Sequence, residues 1–522
     1  MNRGLFAGVF ALLILTASVL RCDHLVGRTL WFDEAFSWTL VTRFSPLNII
    51  SRTADDVHPP LYYLTLWCWT TFFGTSLISL RLPSVLFGVA TAAGSFLVGR
   101  DAIEGWREDP TRRYGAQVTG LMSMALVATS AIQVRWSWEA RMYTLATLLL
   151  IIGTWCILRA LDASVERARW WWAGFATAST AMLYTHNYAL FSFVGQCLFI
   201  VLEFSRRGQR WPLPFQVPGF WSAVIAMAGV AWAYSPWLPV LQAQSAQVQN
   251  GYWVPKVDLL TIPRAWYSLV LPLNSVPGVS DQMAIVSGLI LVSLVAILAI
   301  QRTRLSRLVL ALFVTPIVLS YLISMSGTSI IVDRFFLLAH LFAVIGVAGL
   351  IGRLAPSSAC WCVGALVMSF SLYLVERYHS DLNVEAKPGV RGALKYVLRN
   401  RHPDEPILVM HPCIYFSVLY YAGERASPKL YSIPENVTHY TGKPILIPED
   451  YFLQSDLEES SAKRAWVIDT NGFIGHTSML LPASWKPTEK KMFPDVYYFQ
   501  RNVTATCWER TDPVPVRAVQ NP

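Results

Sequence analysis

Residues 283–300 read MAIVSGLILVSLVAILAI, residues 308–323 read LVLALFVTPIVLSYLI, and Arg302, Arg304 and Arg307 stand between them. Neither run carries a charge, and each approaches the ~20 residues a helix needs to cross ~30 Å of hydrocarbon. Two such runs joined by a short basic turn read as a transmembrane hairpin whose arginines stay in the cytoplasm. The same pattern recurs outward along the chain, at Leu5–Leu20 and Leu145–Leu158. The chain is 54% hydrophobic and 14% charged over 522 residues, with a mean hydropathy of +0.41. A soluble domain carries about 25% charge, so lipid is the solvent for most of this sequence. The net charge of +9 does not point to nucleic acid, because the basic residues punctuate the apolar runs instead of gathering in one domain.

Twelve segments are apolar, and the arginines decide which of them cross. Arg3; Arg100, Arg107, Arg112 and Arg113; Arg159, Arg167 and Arg169; Arg206, Arg207 and Arg210; the Arg302–Arg307 group; and Arg353 all fall in the cytoplasm only if one segment before Arg100 fails to span. That segment is 59–79, which opens His58-Pro59-Pro60 and carries Tyr62, Tyr63, Trp67 and Trp69, a composition suited to a helix lying in the interface. The first apolar run lacks a small-residue cleavage site and is expected to stay as helix 1. Eleven spans remain, near 4–22, 82–100, 115–133, 142–160, 170–185, 188–204, 217–235, 283–300, 308–325, 335–352 and 358–375. An odd number places 23–80, 134–141, the turn at His186, 236–281, 326–334 and the tail outside. The expected architecture is mainly α: a polytopic membrane domain over 1–375 with interfacial helices in its first external loop, and a small extracytoplasmic α/β domain over 376–522. In that tail, 390–399 and 414–421 read as helices, and 407–410, 465–468 and 496–500 as strands. Six cysteines lie in or beside apolar segments as packing residues, which leaves Cys413 and Cys507 as the pair able to form a disulfide.

Walker A, dinucleotide GxGxxG, HExxH and paired CxxC motifs are all missing. The chemistry-bearing residues instead crowd the outer ends of the helices. Asp33 and Glu34, in the run Leu30–Trp38, open a predicted amphipathic helix on which Phe36, Leu40 and Phe44 share a face. A helix N-terminus favours the carboxylate form, which suits a general base, although the same pair could simply cap the helix. Asp55, Asp56 and His58 precede two prolines and could hold a divalent metal or a phosphate headgroup. Arg135, Glu139, Arg141 and Tyr143 lie between the third and fourth spans, on the side where arginine is disfavoured. An anionic ligand is one reason for them, and anchoring a helix end is another, favoured for Arg135. His186 and Arg334 sit at further outer helix ends. A secondary transporter would instead keep ionisable groups near the midplane on broken helices, and a non-catalytic envelope protein would use the tail to bind a partner.

The runs Trp31-Phe32-Asp33-Glu34, Asp56-Val57-His58-Pro59-Pro60-Leu61-Tyr62-Tyr63, Phe73-Gly74, Arg81-Leu82-Pro83-Ser84 and Glu139-Ala140-Arg141-Met142-Tyr143 resemble the GT-C glycosyltransferases of the protein O-mannosyltransferase type. The nearest kin are bacterial, family 39-like members related to the aminoarabinose transferases of lipid A and the galacturonosyltransferases of lipopolysaccharide core. The resemblance covers about residues 1–350 and continues weakly through Tyr184-Thr185-His186, Pro236-Trp237-Leu238-Pro239 and Asp333-Arg334-Phe335. It implies that Asp33 is catalytic with Glu34 in support, and that Glu139 stands where relatives carry a second loop acid. Some relatives carry Lys where this chain has His58. It further implies a sugar donor on a polyprenyl phosphate, an acceptor hydroxyl on a lipid, glycan or protein, and an active site on the extracytoplasmic face of the plasma (inner) membrane. Topology agrees: nucleotide sugars are cytoplasmic, so an outward-facing transferase needs a lipid-carried donor. Asp56, His58, Glu139, Arg141, Tyr143, His186 and Arg334 are the expected substrate- and phosphate-binding residues.

Overall fold

A computed structural model of the chain describes residues 3–23, 25–208, 214–250, 254–271, 279–473, 480–497 and 500–511. Helices stand at every expected crossing: Arg3–Cys22, Leu77–Asp101, Pro110–Thr129, Tyr143–Asp162, Val165–Leu183, Ala189–Gly208, Phe220–Tyr234, Asp281–Gln301, Arg304–Ser326, Leu337–Gly352 and Ser358–Leu382. Among the described residues nine helices are long and apolar enough to cross a membrane, or ten with one bent pair counted as a span. The chain is a multi-pass membrane protein. Val165–Leu183 falls short of that apolarity because Glu166, Arg167 and Arg169 open it. Leu61–Phe73 has 13 residues, about 20 Å of helix, and is too short to cross, as the proline-led segment suggested.

Two crossings differ from the straight spans expected. Residues 115–133 are broken: Pro110–Thr129 and Ala131–Ser137 meet at 58°. The carbonyls freed near the bend need partners in an apolar surround, and the buried Arg21 supplies them, with Nη1 donating to Ala128 O at 2.8 Å and Nη2 to Val127 O at 3.0 Å. The second difference lies in 236–281, read as an external loop. The chain there stays helical through Ser235–Trp237 and Leu238–Asn250, and a further helix covers Thr261–Val270.

The chain divides into two compact units. One comprises Met1–Asp23, Val57–Phe73 and Ser79–Tyr378; the other comprises His24–Asp56, Gly74–Ile78 and His379–Pro522. Residues 24–56 and 74–78 thus group with the tail from His379. Among the candidate spans of the first unit, the one ending in Leu337–Gly352 is the most enclosed, whereas Asp281–Gln301 exposes Leu289, Ile290, Val292 and Ile300, as a helix facing acyl chains does. The arginine-rich end is also ion-paired. Arg304, 2% exposed, reaches Asp162 at 2.8 Å, and Arg307 reaches the buried Glu203 at 2.6 Å. These arginines therefore hold helix ends together as well as orienting them.

The second unit contains a mixed sheet of β1 (Ile407–Val409), β2 (Lys429–Tyr431), β3 (Tyr451–Phe452), β4 (Arg464–Thr470), β5 (Trp485–Pro494) and β6 (Asn502–Arg510), ordered β3-β2-β1-β4-β6-β5. The first four are parallel to their neighbours; β6 runs antiparallel to β4, and β5 to β6. The helices Gly389–Asn400 and Pro412–Ala422 lie where the pattern 390–399 and 414–421 placed them. The expected strand 496–500 includes 498–499, which lie outside the described residues; β6 begins just after it. Nothing in the sequence reading anticipated β5, an edge strand with mostly exposed residues and a bulge between Pro487 and Glu489. Cys413 and Cys507 are buried free thiols, so the suggested disulfide is absent.

Candidate functional site

In the first unit, the turn between Ala131–Ser137 and Tyr143–Asp162 carries Arg141, which is 2% exposed. Three contacts fix that turn. Trp138 Nε1 donates to Leu20 O at 3.2 Å, Arg141 N to Glu139 O at 2.7 Å, and Ser84 Oγ to Arg141 O at 3.3 Å. The Arg141 guanidinium then donates through Nη1 to Tyr63 Oη at 2.8 Å and lies 3.2 Å from His58 Nε2 through Nη2. A guanidinium only donates, so His58 Nε2 accepts and its proton belongs on Nδ1. His58 is held in turn by the chain around it. Asn187 Nδ2 donates to Val57 O at 2.9 Å, and Leu61 N, just past the two prolines, to Tyr184 O at 3.0 Å.

His186 completes the cluster. Its ring lies 6.2 Å from that of His58, 5.5 Å from Tyr143 and 5.2 Å from Phe335, the neighbour of Arg334. Its Nδ1 accepts the Tyr188 N–H at 3.0 Å, which leaves the proton on Nε2; that nitrogen is buried and has no hydrogen-bond partner among the described residues. Burial first, then the neighbouring His58, Arg141 and Arg334, hold the imidazole well below its usual range, so it stays neutral. The result is a cluster of two guanidinium groups and two imidazoles. It suits an oxyanion with several acceptor oxygens, such as a phosphate.

In the second unit, Asp33 and Glu34 stand in the first turn of the helix Phe32–Arg43, where expected. The amphipathic reading is corrected: Glu34, Ala35, Phe36, Ser37, Thr39, Leu40 and Val41 are all buried. Pro412–Ala422 and the turn Lys443–Ile445 both pack on this short helix, so it has little free face. Asp33 is partly exposed while Glu34 is 0% exposed, which leaves Asp33 the more accessible carboxylate. Burial, with the Asp33 charge as the second cause, pushes the Cys413 thiol well up, so it remains protonated. Asp56 is buried and acts on His439, opposing the fall that burial imposes on that imidazole.

His58, Arg141, Tyr143, His186 and Arg334 thus converge in one unit, with Glu139 buried two residues before Arg141. Asp33, Glu34 and Asp56 belong to the other. Among the described residues no group of three or more His, Cys, Asp or Glu side chains could hold a metal ion, Asp56 and His58 included. Sequence reasoning gave Tyr63 and Asn187 no role in the site, and it read Cys413 only as a disulfide partner for Cys507. Tyr63 lay inside the quoted Pro-Pro-Leu-Tyr-Tyr run and could have been read as a partner, whereas nothing local marks Cys413.

No protein-family model matches the chain, and no curated protein sequence does. Solved structures do. ArnT from Cupriavidus metallidurans in the apo state superposes at a TM-score of 0.57 with 12% identity, over 96% of this chain and 98% of that one. The same protein bound to undecaprenyl phosphate gives 0.57 and 12% over 100% of both. The Saccharomyces cerevisiae protein O-mannosyltransferase Pmt1-Pmt2 complex bound to the sugar donor aligns over 47% of this chain and 33% of that one, at 0.31 and 15%. The polytopic arrangement described above shares the fold of ArnT over nearly the whole length of both chains.

Proposed function

We propose that this chain, built on the ArnT fold, is a membrane glycosyltransferase. It moves a sugar from a polyprenyl phosphate to a hydroxyl of a lipid, glycan or protein on the extracytoplasmic face of the plasma membrane, with inversion at the anomeric carbon. The observation that carries this reading is the cluster of buried Arg141 and His186 with half-buried His58 and Arg334, whose chemistry suits an anion. It occurs in a fold whose neighbour has been solved with undecaprenyl phosphate.

The Asp33 carboxylate takes the proton of the acceptor hydroxyl as its oxygen attacks the anomeric carbon. The bond from that carbon to the phosphate oxygen breaks, and its electron pair stays on the phosphate. Arg141 and Arg334 meet the growing charge as donors, and His186 offers Nε2–H without changing its own charge. Glu34 supports Asp33 as a neighbouring carboxylate. General-base catalysis of this kind contributes ~10² to 10⁴-fold.

Mass spectrometry of envelope glycolipids, glycans and glycoproteins tests the reading, comparing cells with the protein, without it, and with Asp33→Asn at equal protein level. The expected result is a glycosylated species lost in the deletion and reduced at least ~10²-fold in Asp33→Asn. Identical profiles in all three would remove the transferase reading.

A further inference from the structure

The helix that carries Asp33 ends at Arg43. There the guanidinium grips Asp450 with both prongs, Nη1 to Oδ2 at 2.8 Å and Nη2 to Oδ1 at 2.9 Å. Tyr415 Oη donates to Oδ1 at 2.7 Å and Ile447 N to Oδ2 at 3.0 Å. A carboxylate offers about four lone-pair positions. All four of Asp450 are filled from inside the protein, and the residue is 3% exposed. Such a carboxylate has no lone pair left to offer a substrate, so its work is to hold Arg43 in place.

Contacts with the tail continue along the acid helix. Leu30 N, just before it, donates to Tyr421 Oη at 2.8 Å, Trp31 stacks on Tyr497 at 5.3 Å, and Trp38 meets Tyr420 edge-on at 5.3 Å. Tyr415, Tyr420 and Tyr421 share the helix Pro412–Ala422, whose first turn brings Cys413 into the field of Asp33. A 12-residue helix is marginal alone in water. A planar, bidentate contact at its far end fixes rotation about its axis as well as position.

We propose that Arg43, Asp450 and Tyr415 form a positioning clamp by which the C-terminal segment of the chain sets the place of the Asp33 carboxylate. The tail is thereby a component of the acid site. This rests on the reading of Asp33 as the base. Arg43 and Asp450 act through Asp33 and touch no reacting atom.

The test uses the full-length protein in detergent, with hydrogen–deuterium exchange on peptides covering 32–43 and 464–470, and the envelope product measured in cells. Arg43→Ala and Asp450→Asn should raise exchange of 32–43 by at least about tenfold and leave the β4 peptide unchanged. Product should fall in parallel. Arg43→Lys should fall between, and the reversed pair Arg43→Asp with Asp450→Arg should recover protection and product relative to either single reversal. Should Arg43→Ala fail to accumulate, Arg43→Lys and Tyr415→Phe carry the same comparison. Unchanged exchange of 32–43 in these variants, or a rise shared equally with β4, would overturn the clamp. Full transfer in Asp33→Asn would instead overturn the base assignment, while exchange still decides the clamp.

Discussion

Arg141 illustrates what a single buried guanidinium commits a site to. Its contacts with Tyr63 Oη and His58 Nε2 aim the fork, and a lysine keeps the charge while losing both directions. Hydrogen bonds to charged groups contribute ~1.5–3 kcal/mol, so Arg141→Ala should weaken undecaprenyl phosphate binding by roughly 10- to 100-fold, with Arg141→Lys recovering only part. Equilibrium binding to the purified protein measures both, and unchanged affinity in both variants would remove Arg141 from the phosphate site. His186 makes a pH prediction. The folded protein keeps it neutral below the usual imidazole value of 6.5, whereas the unfolded chain takes up a proton there. Stability contributed by this residue is therefore present above about pH 6.5 and lost as pH falls below it. His186→Gln should flatten the drop in unfolding temperature between about pH 7 and about pH 5; an equal drop in both proteins would show that another group titrates. On the proposed reading of Asp33 as the base, Glu34→Gln should cost less than Asp33→Asn because Glu34 is 0% exposed and Asp33 is partly exposed.

Among the elements, the bent pair Pro110–Thr129 and Ala131–Ser137 matters most for the phosphate cluster, because its end leads directly into the Arg141 turn. No proline or glycine stands at the break, Thr129-Ser130-Ala131, so the sequence reads as one span. The partner that satisfies the freed carbonyls is Arg21, over a hundred residues away on another helix. Arg21→Met should leave two carbonyls unsatisfied, at ~1–3 kcal/mol each, and lower the unfolding temperature in detergent along with phosphate binding. Gly88→Ala probes the same junction, since an added Cβ would lie 2.3 Å from Ser137 Oγ and 2.9 Å from Arg21 Nε. Its unfolding temperature should also fall, and wild-type values for both variants would mean the bend needs neither contact. The edge strand β5 was hidden for a different reason: its lysines, glutamate and prolines protect an edge and erase the alternation by which strands are recognised.

For the whole molecule, the arginine distribution predicts which side each loop faces. Single cysteines placed at Arg107 and Arg167, in a background lacking the native thiols, should react with an impermeant probe only from the cytoplasm. Cysteines at Lys256 and on the exposed face of β5 should react only from outside. A Lys256 site labelled solely from the cytoplasm would invert the scheme and remove the extracytoplasmic active site with it.

Composition, apolar runs and arginine placement were enough to determine a polytopic helical membrane protein with an α/β tail, because hydrocarbon tolerates only long apolar helices and charge asymmetry orients them. The sequence also pointed to His58, Arg141 and His186 at predicted outer helix ends, and the first unit brings these three together. Tertiary structure alone decided how those residues are held. The Arg21 cap, the His58–Arg141–Tyr63 contact and the Arg43–Asp450–Tyr415 clamp join positions tens to hundreds of residues apart. No local periodicity encodes such pairs: they exist only once packing has excluded water and each buried polar group must find its partner within the fold.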